Sequence, residues 1–376
     1  MKEEYIKEII TNNFQDTEKK IKKNRVLYVG NGFNCLNEHF ILWDELMAKL
    51  FSSFGFNFFY KKNAIKNIPA SLQYEILLNL VSNEKGWTYE KTDQEIQGKI
   101  YKLTCNLINP NELHDIAVRN YDEIITPNYD LCFEAAAYGI KSCVPATLFP
   151  APKKEYPVGL FYDVKDRRQK KTKYKPVADC RCKRIWHPHS SKTGKENGKK
   201  KLCLQFDRYI ANTSKLRSFF NTEKDFVKVF AEQLKKENLE REDYKNWGYC
   251  FLFADVDILA SSLSYEELDF WWILSFRKKM LAENKISKNK IRYFRWTGKN
   301  ISDEEIALET LLSTFDIEIV NVKEYLEEKL KEEGEVNVVQ ELSKIEDDKT
   351  SAINYIKFYK LCMNCDDENH KIKEFL

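Results

Sequence analysis

Apolar and polar positions fall in blocks along this chain, and the blocks mark out its elements. Val26-Leu27-Tyr28-Val29 is a short apolar run that stops at Gly30-Asn31-Gly32, the pattern of a buried strand ending in a turn. Tyr121 to Ile125 ends the same way, at Thr126-Pro127-Asn128-Tyr129-Asp130, and Leu131 to Ala137 then opens as a helix. Between the two strands, residues 40–115 read as helical. Phe40, Ile41, Trp43, Leu46, Met47 and Leu50 form an apolar stripe, and further helices fit 71–82 and 93–108. The aromatic run Phe51 to Tyr60 reads as core or as a pocket wall.

Further along, residues 141–201 are irregular, basic and broken by prolines at 145, 150, 152, 157 and 176, which predicts loop. Arg184 to His187 ends an apolar stretch inside it. Leu202 to Ile210 predicts a strand leading into a helix, and 221–237 an amphipathic helix. Tyr249 to Phe253 and Val256 to Leu259 predict strand material that ends at Ala260-Ser261-Ser262-Leu263-Ser264. Ser264 with Glu267 three residues on fits a helix cap. A helix over 269–283, a strand over 290–296, a helix over 301–314 and a strand over 316–320 follow. The expected fold is α/β, a Rossmann-like and mostly parallel sheet with a helical insertion and C-terminal helices. The organisation divides into an N-terminal helical arm (1–24), a main domain (25–325) with an insertion at about 40–115 and a basic loop at about 151–201, and a charged helical segment (326–376).

Composition narrows the class. The 376 residues are 43% hydrophobic and 14% aromatic, enough for a large core. A net charge of +3, from 61 basic and 58 acidic side chains, gives no global argument for nucleic acid. The lysines between Lys170 and Lys201 leave a nucleic-acid contact open beside the plainer reading as a solvated loop. No apolar run is long enough for a bilayer, and Met1-Lys2-Glu3-Glu4 does not begin a signal peptide. Ten scattered cysteines fit a reducing, cytoplasmic setting. Cys362 and Cys365 have redox or metal spacing without a second pair, and Cys180, Cys182, His187 and His189, with Cys203, do not make a usual zinc pattern, so no metal is expected.

The strand ends carry the candidate chemistry. Asn128 and Asp130 sit at the carboxyl end of a strand, where open α/β sheets bind ligands, although either also caps the following helix. Gly30 and Gly32 let a backbone approach a phosphate, with a helix N-terminus to follow, or simply make a turn. His187 and His189, two of only five histidines, are candidate general bases.

Taken in order, Gly30-Asn31-Gly32-Phe33-Asn34, Thr126-Pro127-Asn128-Tyr129-Asp130, Trp186-His187-Pro188-His189-Ser190 and Ser261-Ser262-Leu263 resemble the motif set of the sirtuin superfamily, most of all the divergent bacterial sirtuin-like domains of anti-phage defence systems. Trp43-Asp44-Glu45-Leu46 resembles the patch that follows the glycine turn in those domains. The resemblance spans roughly residues 25–325, and its most specific part is Thr126 to Asp130. It implies an NAD+ hydrolase that releases nicotinamide and ADP-ribose. Asn128 and His189 would be catalytic, with His187 the alternative base. Gly30, Asn31, Gly32, Phe33, Asn34, Thr126, Asp130, Ser261 and Ser262 would bind NAD+. It also implies antiviral defence by abortive infection, under the control of homo-oligomerisation or of a partner such as a hexameric ring ATPase. Asn31 and Asn34 depart from the family pattern, as does Ser190 after the histidine. The Asp-Phe-Arg segment and the paired cysteine zinc module of deacetylases are absent, which argues against deacylation. A protein ADP-ribosyltransferase or deacylase, a non-catalytic NAD or ADP-ribose sensor and a nucleic-acid scaffold remain as other classes.

Overall fold

The computed structural model describes residues 24–36, 41–104, 108–140, 160–164, 176–189, 202–221, 246–283, 288–295 and 301–321, with short pieces at 195–196, 199–200, 359–360 and 362–363 and the single residues 286 and 324. A seven-stranded sheet organises them. Its strands are β1 (Arg25–Val29), β2 (Glu123–Ile125), β3 (Leu160–Asp163), β4 (Arg184–His187), β7 (Asp255–Leu259), β8 (Ile291–Arg295) and β9 (Glu318–Asn321). The two-residue strands β5 (Lys195–Glu196) and β6 (Lys199–Lys200) pair with each other apart from it. The sheet order is β3-β4-β2-β1-β7-β8-β9, and every pairing is parallel except β3 with β4 at the edge. Counted in chain order, the parallel strands run third, second, first, fourth, fifth, sixth. That is the doubly wound Rossmann arrangement, whose ligand crevice lies where the order reverses, beside β1 at the carboxyl ends. The α/β expectation holds.

Alternation along the strands builds two cores. Leu27 and Val29 of β1 face one layer, made by α5 (Glu112–Asn120) and α6 (Cys132–Ala137). Val26 and Tyr28 face the other, made by α7 (Phe206–Asn221), α8 (Gly248–Phe253), α9 (Leu268–Ala282) and α10 (Asp303–Thr314). Between β1 and α5 the chain leaves the sheet as α1 (Trp43–Ser53), α2 (Asn57–Lys62), α3 (Ala70–Lys85) and α4 (Tyr89–Thr104). These helices close over a core of their own, with Leu50, Phe51, Tyr74, Leu77 and Ile96 at its centre. That insertion stands over the carboxyl edge of the sheet, where Tyr129 packs against it.

Several elements differ from expectation. Tyr249 to Phe253 belongs to a helix, α8, in which all six residues are buried. A short run buried on every side has no period to separate strand from helix. Leu202 to Gln205 is not a strand; Leu202 and Leu204 instead plug the core of the insertion, and α7 begins at Phe206. The residues after the glycine turn form a six-residue 310 helix, Asn31–Leu36, in place of the expected α-helix N-terminus. The Ser264–Glu267 cap is not made: α9 begins at Leu268, and its N-cap residue Glu267 supplies no side-chain cap. The edge strand β3 went unread within the proline-rich stretch. Phe58 of the aromatic run is 75% exposed, although Phe51 and Tyr60 are buried. The N-terminal arm, the helix expected over 221–237 (beyond Asn221), most of the basic loop, Ser190, Cys365 and most of the C-terminal segment lie outside the described residues. Among the described residues no helix is long and apolar enough to cross a membrane.

Candidate functional site

The turn after β1 and the turn after β7 are packed back to back. Gly30 N donates to Leu259 O at 3.2 Å and Gly32 N to Ala260 O at 3.1 Å. A Cβ on Gly30 would stand 2.5 Å from Ala260 O, and one on Gly32 2.8 Å from Ala260 Cβ. The glycines therefore serve the close approach of two backbones. The facing turn carries the strain: Ala260 and Leu263 have φ of 52° and 48°, left-handed values that cost a side-chain-bearing residue about 1–2 kcal/mol each.

Beside this seam, Thr126 to Asp130 leaves β2. Asp130 reads both ways at once. Its Oδ1 accepts from the N–H of Cys132, the first residue of α6, at 2.9 Å, while its Oδ2 accepts from Asn34 Nδ2 at 2.8 Å. Asn34 also donates to Asn31 Oδ1 at 2.9 Å, so a polar chain ties the end of β1 to the end of β2. Asn128 Nδ2 donates to Gly30 O at 3.2 Å, and Asn128 N donates to Thr126 Oγ1 at 3.2 Å.

The two histidines part company. His187 is fully buried, with Nδ1 donating to Asn128 O at 2.9 Å and Nε2 2.7 Å from Glu134 Oε1. Burial opposes its protonation, but Glu134, the Asn128 carbonyl and Asp130 together leave its pKa raised. It braces the Asn128 backbone from behind. His189 reaches the cavity, with Nε2 3.2 and 3.3 Å from the two Asp269 carboxylate oxygens and its ring edge-on to Tyr209. Burial pushes its pKa down, and Asp269 with Glu267 pushes it further up, leaving it raised. With Nε2 held by Asp269, Nδ1 is the nitrogen left to a ligand.

Asn31, Asn128, Asp130, His189 and Ser262 together line one cavity of about 450 Å³ at the carboxyl ends of the strands, within the range of about 300–1,000 Å³ usual for small-molecule sites. Gly30, Gly32, Asn34, Thr126 and Ser261 do not line it, and Phe33 is buried in the α5–α6 core. Ser261 Oγ accepts from Leu263 N at 3.3 Å, a local turn bond, whereas Ser262 is exposed to the cavity. The insertion supplies the opposite wall with Ile41, Trp43 and Ile68, and one cation, Lys66. It is moored there by Glu266, whose carboxylate accepts from Ala70 N, Ser71 N and Ser71 Oγ at 2.9–3.1 Å at the start of α3.

No family model matches the chain, and no curated protein matches it.

Asp269, Glu267, Tyr28 and Tyr209 belong to the cavity region, and the sequence marked none of them as a site residue, Glu267 only as a cap partner of Ser264. Their signal was slight. Glu267 and Asp269 sit two apart at an acidic helix start, where carboxylates are ordinary. Tyr28 is one more apolar position of a buried strand.

Proposed function

We propose that this protein hydrolyses NAD+ to nicotinamide and ADP-ribose. The observation that carries the reading is convergence: residues from the ends of β1, β2, β4 and β7, far apart in sequence, meet in one cavity where a doubly wound sheet binds ligands. The cavity combines an apolar wall fit for a nicotinamide ring with amide, hydroxyl and imidazole groups fit for a ribose, and Lys66 stands as a counter-charge for pyrophosphate.

The reaction breaks the bond between ribose C1′ and the cationic nicotinamide through an oxocarbenium-like transition state, as in glycoside hydrolysis. The leaving group departs neutral and needs no strong acid. Asn128, its amide nitrogen held by Gly30 O, presents its amide oxygen to a ribose hydroxyl or to the attacking water. His189, oriented by Asp269, acts as general base on the ribose or the water. The resemblance extends this to a bacterial defence effector that depletes NAD+ in infected cells, restrained until it assembles or meets a partner.

Purified protein in its assembled form should bind NAD+ and release nicotinamide from it. Asn128→Ala and His189→Ala, while still folded, should each lose about a hundredfold or more in rate. If NAD+ neither raised the melting temperature nor released nicotinamide, the pocket reading would fail.

A further inference from the structure

Beyond Asn128 and His189 the cavity holds a carboxylate with no assigned task. Glu267 lies at the N-cap position of α9, partly exposed at the cavity wall, two residues before the Asp269 that holds His189. Tyr28, on the central strand β1, donates its hydroxyl to Glu267 Oε2 at 2.5 Å. The nearby carboxylates are spent elsewhere. Asp269 accepts from His189 and from Phe270 N, and Glu266 moors α3. Glu267 Oε1 accepts no hydrogen bond from the described residues.

We propose that Glu267 is the catalytic carboxylate that takes the proton of the attacking water, with Tyr28 as its positioning residue. The inference rests on the hydrolase reading above and narrows it, leaving His189 to the ribose. The C1′–N bond breaks and its electron pair stays on nicotinamide. The water oxygen forms the new bond to C1′, its proton passes to Glu267, and Glu267 returns the proton to solvent. The charge balance suits this. Asp269 and Glu267 both stand beside His189, so two carboxylates flank the place where positive charge develops. Tyr28 from β1, Tyr209 from α7, His189 after β4 and Glu266 and Asp269 beside it are the titratable groups around Glu267. Loss of solvent pushes its pKa up to about 6, with the Tyr28 hydrogen bond and His189 opposing. It is ionised at neutral pH, yet a stronger base than an ordinary carboxylate.

The test measures NAD+ binding by calorimetry and nicotinamide release across about pH 5–9 for the full chain and for Glu267→Gln, Tyr28→Phe and Asn128→Ala. Glu267→Gln should bind NAD+ within about twofold of wild type and lose about a hundredfold in kcat. Tyr28→Phe removes a donor that favours the ionised carboxylate, so its acid limb should move to higher pH. Wild-type turnover in Glu267→Gln, with Asn128→Ala inactive, overturns the role of Glu267 and leaves the hydrolase standing. If Glu267→Gln does not fold, an unshifted acid limb in Tyr28→Phe overturns it. Wild-type protein that binds NAD+ and leaves it uncleaved overturns the role of Glu267, and protein that neither binds nor cleaves NAD+ overturns the hydrolase reading as well.

Discussion

His114 shows how one residue couples the site to its support. It is fully buried, its Nδ1 joins the capping box at Asn111, and its ring lies against Phe33 and Phe133. Burial lowers its pKa to about 4, against a smaller opposing pull from Asp130. The folded state therefore resists a proton that the unfolded chain accepts near pH 6.5. Stability from this group is complete above the unfolded value and drains away as pH falls from 6.5 through about 4, a loss on the order of 3 kcal/mol. Urea unfolding at neutral and acid pH should show that slope, and His114→Phe should flatten it. At the same scale, Thr126 to Asp130 was legible because polar residues closing an apolar run mark a strand end. The choice between His187 and His189 was not, since it depends on Glu134 and Asp269, 53 and 80 residues away.

Among elements, the seam between the turns after β1 and β7 and the mooring of α3 decide the shape of the cavity. Glu266 places a carboxylate on free N–H groups at the start of a sixteen-residue helix, where both hydrogen bonding and the helix dipole favour it. Glu266→Ala should cost about 1–2 kcal/mol. It should raise amide exchange at Ala70 and Ser71 well before the sheet is affected. Unchanged exchange there would mean that the insertion is held by its apolar contacts alone. The helices of the insertion were readable from their stripes. That the insertion roofs the strand ends was not, because Glu266 is 196 residues from Ala70. The helix α8 was misread for the opposite reason: its run of buried residues left no polar face to count.

For the whole molecule, buried charges fasten the sheet from within. Asp257, half-way along β7, accepts from Tyr121, Arg25 and Arg292 at 2.6–2.9 Å. Asp257→Ala removes the buried carboxylate shared by Tyr121, Arg25 and Arg292 and should cost roughly 3 kcal/mol in unfolding free energy. The nicotinamide release proposed for this site should be little changed in the protein that remains folded, since Asp257 does not line the cavity. The strand order could be anticipated as Rossmann-like from the succession of strands and helices. These ion pairs could not, because charged residues within strands look like edge positions in a sequence. The central strand carries a further consequence, one for synthesis on the ribosome. Arg25 bonds to Asp122 and to Asp257, partners 97 and 232 positions downstream. β1 emerges first and waits longest, exposed until β7 has been made. Neither the seam nor the cavity exists in a shorter nascent chain, so whatever chemistry the site performs is withheld until residues 255–269 have been translated.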